Sequence, residues 1–278
     1  MQQVQVRHAG ATDVGRVRTV NEDAFLDAPP VFAVADGMGG HDGGDVASAF
    51  AVEELGSLAG LTRGLDEAEP ALRRALAAAQ GRIADYARAQ ADAGAEGFHA
   101  GTTVVCALLV QDGAEPAWLL GHLGDSRAYR FADGRLEQLT RDHSLVQDYV
   151  DAGVIAPEEA ATHPERNVIT RALDGRGTPS PDLARLPVTP GERLLLCSDG
   201  VTGMIDHDEI ADLLATRASA AEAAADLVSA AVAAGGRDNA TAVVVDVDAG
   251  PGAAVGVHDR PGGAAHDGDT VPMETRER

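Results

Sequence analysis

The sequence predicts an α+β domain: a sandwich of two antiparallel β-sheets flanked by pairs of α-helices. Three observations carry that reading. Short apolar runs follow one another through the middle of the chain instead of alternating strictly with helices. Helical apolar spacing comes in two pairs of segments, one early and one late. Several apolar runs stop on an Asp beside a Gly, as strands do at their ends.

The elements follow in order. Residues 4–8 alternate and read as an opening strand. A polar stretch carrying Arg16 and Arg18 leads to a strand at 23–26, and Pro29-Pro30 separates it from the apolar run 31–35. Ala47, Phe50, Ala51 and Leu55 share one helical face, so a helix is expected from Asp45 to the glycines near 56–60. A longer pattern over 67–92 places Leu72, Leu76, Ala79, Ile83 and Tyr86 on a core-facing stripe. Strands are expected at 104–110, 117–123 and 126–131, the last turning through Asp133-Gly134 into 136–139. Two short helical patterns, 144–153 and 157–162, stand apart from these strands, and the segment from about 144 to 171 reads as an inserted flap. A strand at 193–197, helices over 208–216 and 220–233, and a strand at 240–247 close the fold. Residues 250–278 carry Gly, Pro, Ala, Asp and His with no apolar period, so a disordered tail follows a single domain at 1–249.

Composition narrows the function. A net charge of −22 argues against nucleic acid or an anionic membrane as partner. The two cysteines, Cys106 and Cys197, sit inside apolar runs with no disulfide framework, which fits a reducing compartment. The N-terminus is no signal peptide, and no run reaches the ~18 apolar residues of a membrane helix. A cytoplasmic monomer is expected.

The chemistry lies at the strand ends. The run Val31-Phe32-Ala33-Val34-Ala35 delivers Asp36 to the edge of a core, where a bare carboxylate is costly unless paired or bound to a cation. Gly37, Gly39 and Gly40, before His41, are expected to let the backbone turn so that carbonyl oxygens face a ligand. The same grammar recurs at Gly124-Asp125, at Asp199-Gly200, and at Asp238 before the last strand, with Asn21-Glu22-Asp23 ahead of an early one. One such Asp is ordinary turn chemistry. Repeated through the chain, they suggest a cluster of hard oxygen ligands for Mg²⁺ or Mn²⁺, with no thiolate or imidazole placed among them.

With these stretches in hand, the sequence resembles the bacterial metal-dependent serine/threonine phosphatases of the protein phosphatase 2C family. The matching pieces are Arg18-Thr19-Val20-Asn21-Glu22-Asp23, Ala35-Asp36-Gly37-Met38-Gly39-Gly40-His41 and Gly101-Thr102-Thr103. They continue with Gly124-Asp125-Ser126-Arg127, His163-Pro164-Glu165-Arg166-Asn167, Ser198-Asp199-Gly200 and Asp238-Asn239-Ala240-Thr241, in the family's order over roughly 4–248.

The resemblance implies two core ions, Mn²⁺ or Mg²⁺, and a third. Asp36 would bridge the pair, with the Gly37 carbonyl completing the second site; Asp199 and Asp238 would hold the first, and Glu22 the second, directly or through water. Asp125 would join Asp199 at the third. Asp23 and Asn239 would stand behind these ligands, with Asp36 and Asp238 most directly engaged in catalysis. Arg18 would bind the substrate phosphate, where a planar fork meets two oxygens. The implied reaction is hydrolysis of phosphoserine or phosphothreonine by a metal-bridging hydroxide without a covalent intermediate.

Phosphorylated proteins are the implied partners, among them serine/threonine kinases or regulators of sigma factors. The flap acids Asp148, Asp151, Glu158 and Glu159 are expected to favour basic sequence around the phosphorylated residue. Met38 departs from the family, since many eukaryotic relatives carry His there as a candidate general acid. Two other readings share the fold: a non-catalytic phosphoprotein-binding scaffold and a hydrolase of small phosphate monoesters.

Overall fold

Hairpin turns and apolar runs fold the chain into two antiparallel sheets. The computed structural model describes residues 4–39, 43–95 and 97–248, so His41 and the expected tail lie outside the described residues. The elements run β1 (Val6–Asp13), β2 (Asp23–Ala28), β3 (Val31–Gly39), α1 (Gly44–Gly56), α2 (Leu65–Asp92), β4 (Ala100–Thr102), β5 (Val104–Asp112) and β6 (Glu115–Leu123). They continue with β7 (Arg127–Ala132), β8 (Arg135–Gln138), α3 (Leu145–Asp151), α4 (Pro157–Ala160), β9 (Asp182–Pro187), β10 (Arg193–Cys197), α5 (Asp199–Thr202), α6 (His207–Thr216), α7 (Ala220–Ala233) and β11 (Ala240–Val247). One sheet has the order β1-β11-β10-β7-β8; the other runs β2-β3-β5-β6-β9, with β4 also paired to β3.

Period-two alternation sorts the core into three layers. In β3, Val31, Ala33 and Ala35 pack against α1 and α2, while Phe32 and Val34 face the opposite sheet. In β11, Ala240, Ala242 and Val244 pack with α7, and Val243, Val245 and Val247 fill the space between sheets. Both faces are buried, which is why these strands read as continuous apolar runs. Most of the facing residues are Ala, Val or Leu; Trp118 and Phe32 meet edge-on at 6.2 Å. Side-chain caps start three helices: Ser144, Asp206 and Ser219 accept from the N–H groups of Gln147, Glu209 and Glu222.

Three local features differ from expectation. The chain does not turn after Asp36; β3 continues through Gly39, pairing Gly37, Met38 and Gly39 with Thr102, Gly101 and Ala100. What Gly37 supplies is close approach, because a Cβ there would lie 2.3 Å from the Gly44 carbonyl and 2.4 Å from that of Glu22. Strand β9, unmarked in the sequence, is a short edge strand ending in Pro187 and paired only to β6. Finally, β1 runs to Asp13, paired throughout with β11.

Cys106 and Cys197 are fully buried and unpaired, and burial pushes both thiols up to about 12. Neither is poised as a nucleophile. Among the described residues no helix is long and apolar enough to cross a membrane.

Candidate metal centre and phosphate cleft

Antiparallel pairing brings the acids to one end of the sandwich. Asp36 is the sixth of the nine residues of β3, Asp125 lies just past β6 and Asp199 just past β10, while Glu22 and Asp238 precede β2 and β11. They meet in a cleft of about 400 Å³ that Arg18, Glu22, Asp36, Gly37, Asp125, Asp199 and Asp238 line on the sandwich side. Its other wall comes from the flap exit, including Asn167, Thr170, Arg171 and Asp174. Asp23 pairs with Asp36 across the β2–β3 ladder and sits behind the cleft, where its Oδ2 accepts from the Ser198 hydroxyl at 2.8 Å. The structure therefore brings together every acid that the sequence pointed to.

Small hydroxyl residues hold the acids in place. The Thr103 N–H donates to the Asp36 carbonyl at 2.9 Å, and the Asp36 N–H donates to Thr103 Oγ1 at 3.1 Å. Thr102 Oγ1 donates to the same Asp36 carbonyl at 3.0 Å. Thr103 Oγ1 also lies 2.7 Å from Ser126 Oγ, tying the Asp36 strand to the Asp125-Ser126 turn. The sequence pieces around the acids contained these threonines and serines, but nothing in their spacing assigned them a role.

Asn239 organises the loop that carries Arg18 and Glu22. Its Nδ2 donates to the carbonyls of Val14 and Val20 at 2.9 and 3.0 Å, and its Oδ1 accepts from the Glu22 N–H at 2.8 Å. The residue is only 4% exposed, so truncation leaves three backbone groups short of partners. Asn239→Ala is expected to lower stability by about 3 kcal/mol in urea unfolding and to weaken phosphate binding with it. Loss of stability alone would separate Asn239 from the Arg18 loop.

The cluster is electrostatically frustrated by itself. Burial, then the neighbouring Asp23, Asp199, Asp125 and Asp238, holds the Asp36 carboxyl well above its ordinary range. Burial and Asp238 raise Asp199, and burial raises Glu22. Burial, with Asp199 adding to it, pushes Asp125 up to about 7; burial pushes Asp23 up to about 6. Arg18 brings a guanidinium to these acids, with its Nη2 2.8 Å from Asp238 Oδ2.

Divalent cations fit this donor set. All the donors are hard oxygens, and Asp125 Oδ1 and Asp23 Oδ1 are buried without a hydrogen-bond partner. Among the described residues no three His, Cys, Asp or Glu side chains are grouped closely enough to hold a metal ion as placed; the acids line an open cleft instead.

A pH dependence follows. Raised carboxyl pKa values mean that the folded chain binds protons more tightly than the unfolded one, so stability of the metal-free protein falls as pH rises through them. His122, buried with its pKa lowered to about 4, works the other way below its ordinary value of about 6.5. The comparison therefore belongs between about pH 6.5 and pH 8.5, where metal-free protein is expected to melt lower at the higher pH. Added Mn²⁺ should remove the difference, and equal melting without metal would mean that the cluster carries no repulsion.

The flap acids are otherwise engaged. Arg141 donates to Asp148 at 2.8 Å and to Asp151 at 2.5 Å, and Glu159 caps the Ala156 N–H. Three of the four acids expected to select basic substrates, Asp148, Asp151 and Glu159, thus have partners within the flap, while Glu158 is exposed.

The comparisons with known proteins agree with this geometry. The sequence model of protein phosphatase 2C matches residues 15–234. The chain belongs to the protein phosphatase 2C family. A serine/threonine phosphatase, stp, of Listeria welshimeri is 37% identical over 243 residues, covering 84% of this chain and 93% of that protein. The crystal structure of the Mycobacterium tuberculosis serine/threonine phosphatase PstP/Ppp superposes with a TM-score of 0.80 at 39% identity, covering 88% of this chain and all of that one. A catalytic domain of PstP in complex with two manganese ions superposes with a TM-score of 0.77 at 36% identity, covering 88% of this chain and 100% of that one. This protein phosphatase 2C chain thus shares its fold with a relative that holds metal.

Proposed function

We propose that the chain is a metal-dependent phosphoprotein phosphatase acting on phosphoserine and phosphothreonine, with its catalytic unit in residues 1–249. The observation that carries the reading is the convergence of these acids, Asp125 buried and the others half-buried, with a guanidinium at their edge. In this reading Asp36, Asp199 and Asp238 would hold one core ion, and Asp36, Glu22 and the Gly37 carbonyl would hold the other. Asp125 and Asp199 would supply a third site. Bound Mn²⁺ or Mg²⁺ supplies charge neutralisation for the phosphoryl oxygens and acidifies water.

The chain's own groups do the rest. Arg18 grips two phosphoryl oxygens and orients the ester in the cleft. Asn239 holds the Arg18 loop, and Thr102 and Thr103 hold the Asp36 backbone. Met38 offers no proton, and no imidazole lines the cleft among the described residues. The departing Ser or Thr oxygen would take its proton from water or from another residue at the cleft. The substrates are phosphorylated proteins, with serine/threonine kinases, their targets and regulators of sigma factors the classes we place first, in the cytoplasm.

A side-by-side assay on a phosphothreonine peptide and p-nitrophenyl phosphate tests the reading. A higher kcat/KM on the peptide is expected. Turnover of the small ester alone would make the chain a small-ester hydrolase, and turnover of neither would leave the scaffold reading.

A further inference from the structure

The cleft contains a second guanidinium that the phosphatase reading leaves without work. Arg171 lines the flap-side wall, opposite in sequence origin to Arg18. It is not a loose surface arginine. Its Nη1 donates to Asp182 Oδ1 at 2.7 Å, and Asp182 Oδ2 lies 3.0 Å from His143 Nε2. His143 is 1% exposed, and its Nδ1 accepts from the Gly124 N–H at 3.1 Å. That bond fixes the tautomer: the proton is on Nε2 and is donated to Asp182. The backbone is pinned as well, because the Thr170 N–H donates to the His143 carbonyl at 2.8 Å and the His143 N–H donates to the Gly124 carbonyl at 2.8 Å.

A buried imidazole thus holds both the carboxylate that orients Arg171 and the main chain that carries it. The guanidinium uses Nη1 on Asp182, and its other N–H groups take no protein partner among the described residues.

Asp182 is the carboxylate paired with this guanidinium among the described residues, and the other acids near it are directed elsewhere. Asp174, on the same wall, turns its Oδ1 to the Arg176 N–H at 2.9 Å and toward Gln80 at 3.4 Å. The flap carboxylates Asp148 and Asp151 are taken up by Arg141, and Glu165 accepts from the Tyr149 hydroxyl at 3.2 Å. Asn167, Ile169, Thr170 and Ala172 are the uncharged remainder of the wall.

We infer that Arg171 forms a second anionic subsite, which binds a carboxylate or a second phosphoryl group flanking the phosphorylated residue of the substrate. The inference rests on the phosphoprotein phosphatase reading and deepens it. It runs against the sequence expectation of a basic flank, because the flap-side wall offers a guanidinium with free N–H groups beside the phosphate position. Asp182 and His143 are positioning residues for this subsite.

Three phosphothreonine peptides test it, identical except for neutral flanks, flanking Glu, or a second phosphothreonine. With Mn²⁺ present, kcat/KM on the anionic peptides is expected to exceed that on the neutral one by about 3- to 10-fold, a range set by a half-exposed charge-assisted contact. Arg171→Gln should bring the ratio close to one, and Arg171→Glu should invert it; each ratio is normalised by the neutral peptide measured on the same variant. Gain from Glu alone identifies a carboxylate subsite, and gain from the second phosphothreonine alone identifies a phosphoryl subsite. The same ratio, read as relative peptide affinity by fluorescence anisotropy in an Asp36→Asn background, tests the subsite where turnover is lost. Absence of turnover on every peptide would sink the phosphatase reading while leaving the affinity ratio to decide the subsite. A ratio near one in the unsubstituted protein, or one that survives Arg171→Gln, would overturn the inference.

Discussion

Asp36→Asn is expected to lower kcat on a phosphothreonine peptide by about 1,000-fold, the scale of losing several kcal/mol of preorganised charge stabilisation. The substitution keeps the volume and removes the charge at the point where the other acids converge. Its effect on the metal-free protein should have the opposite sense. Asp36 is half-buried among Asp23, Asp199, Asp125 and Asp238, so a neutral amide relieves desolvation and like-charge repulsion. The variant without metal should therefore melt higher than the unsubstituted chain without metal, and should gain less from added Mn²⁺. Asp199→Asn should behave similarly, since burial and Asp238 raise its carboxyl too. A residue with a purely structural role would lose stability together with activity, so the two signs separate the explanations.

Arg18→Ala should raise KM for phosphopeptides by about 10- to 100-fold, the range of losing one charge-assisted, forked contact. A smaller fall in kcat is expected if the contact is similar in the bound substrate and the transition state. Arg18→Lys should recover only part of the loss, because an ammonium cannot grip two oxygens in a plane. The pair with Asp238, at 2.8 Å, gives the guanidinium a resting partner among the acids that it would exchange for phosphate. Unchanged KM in Arg18→Ala would move the phosphate contact to another residue, with Arg16 the next candidate.

Much of this was legible in the sequence, and the reason differs from element to element. The acids stood out because each ends or begins an apolar run, so burial and charge conflict within a few residues of the chain. Helices α1, α2, α6 and α7 were legible because one apolar face determines them. Strand β9 was not, because an edge strand with exposed alternate residues and a terminal Pro187 carries almost no periodic signal.

The glycines after Asp36 misled for a physical reason. Gly in a short run signals a turn, yet here Gly37 serves the close approach of the Glu22 and Gly44 carbonyls while the strand runs on. The hydroxyl clamp of Thr102, Thr103 and Ser126 and the His143–Asp182–Arg171 chain join residues far apart in sequence. Pairing of that kind appears only once the strands are registered.

The most direct test of the metal-centre account is hydrolysis of a phosphothreonine peptide by chelator-stripped protein as Mn²⁺ is titrated back. The account predicts no measurable turnover in the stripped protein and a saturable return of full activity, absent in Asp36→Asn. Full turnover by the stripped protein, or an equal return of activity in Asp36→Asn, would contradict it.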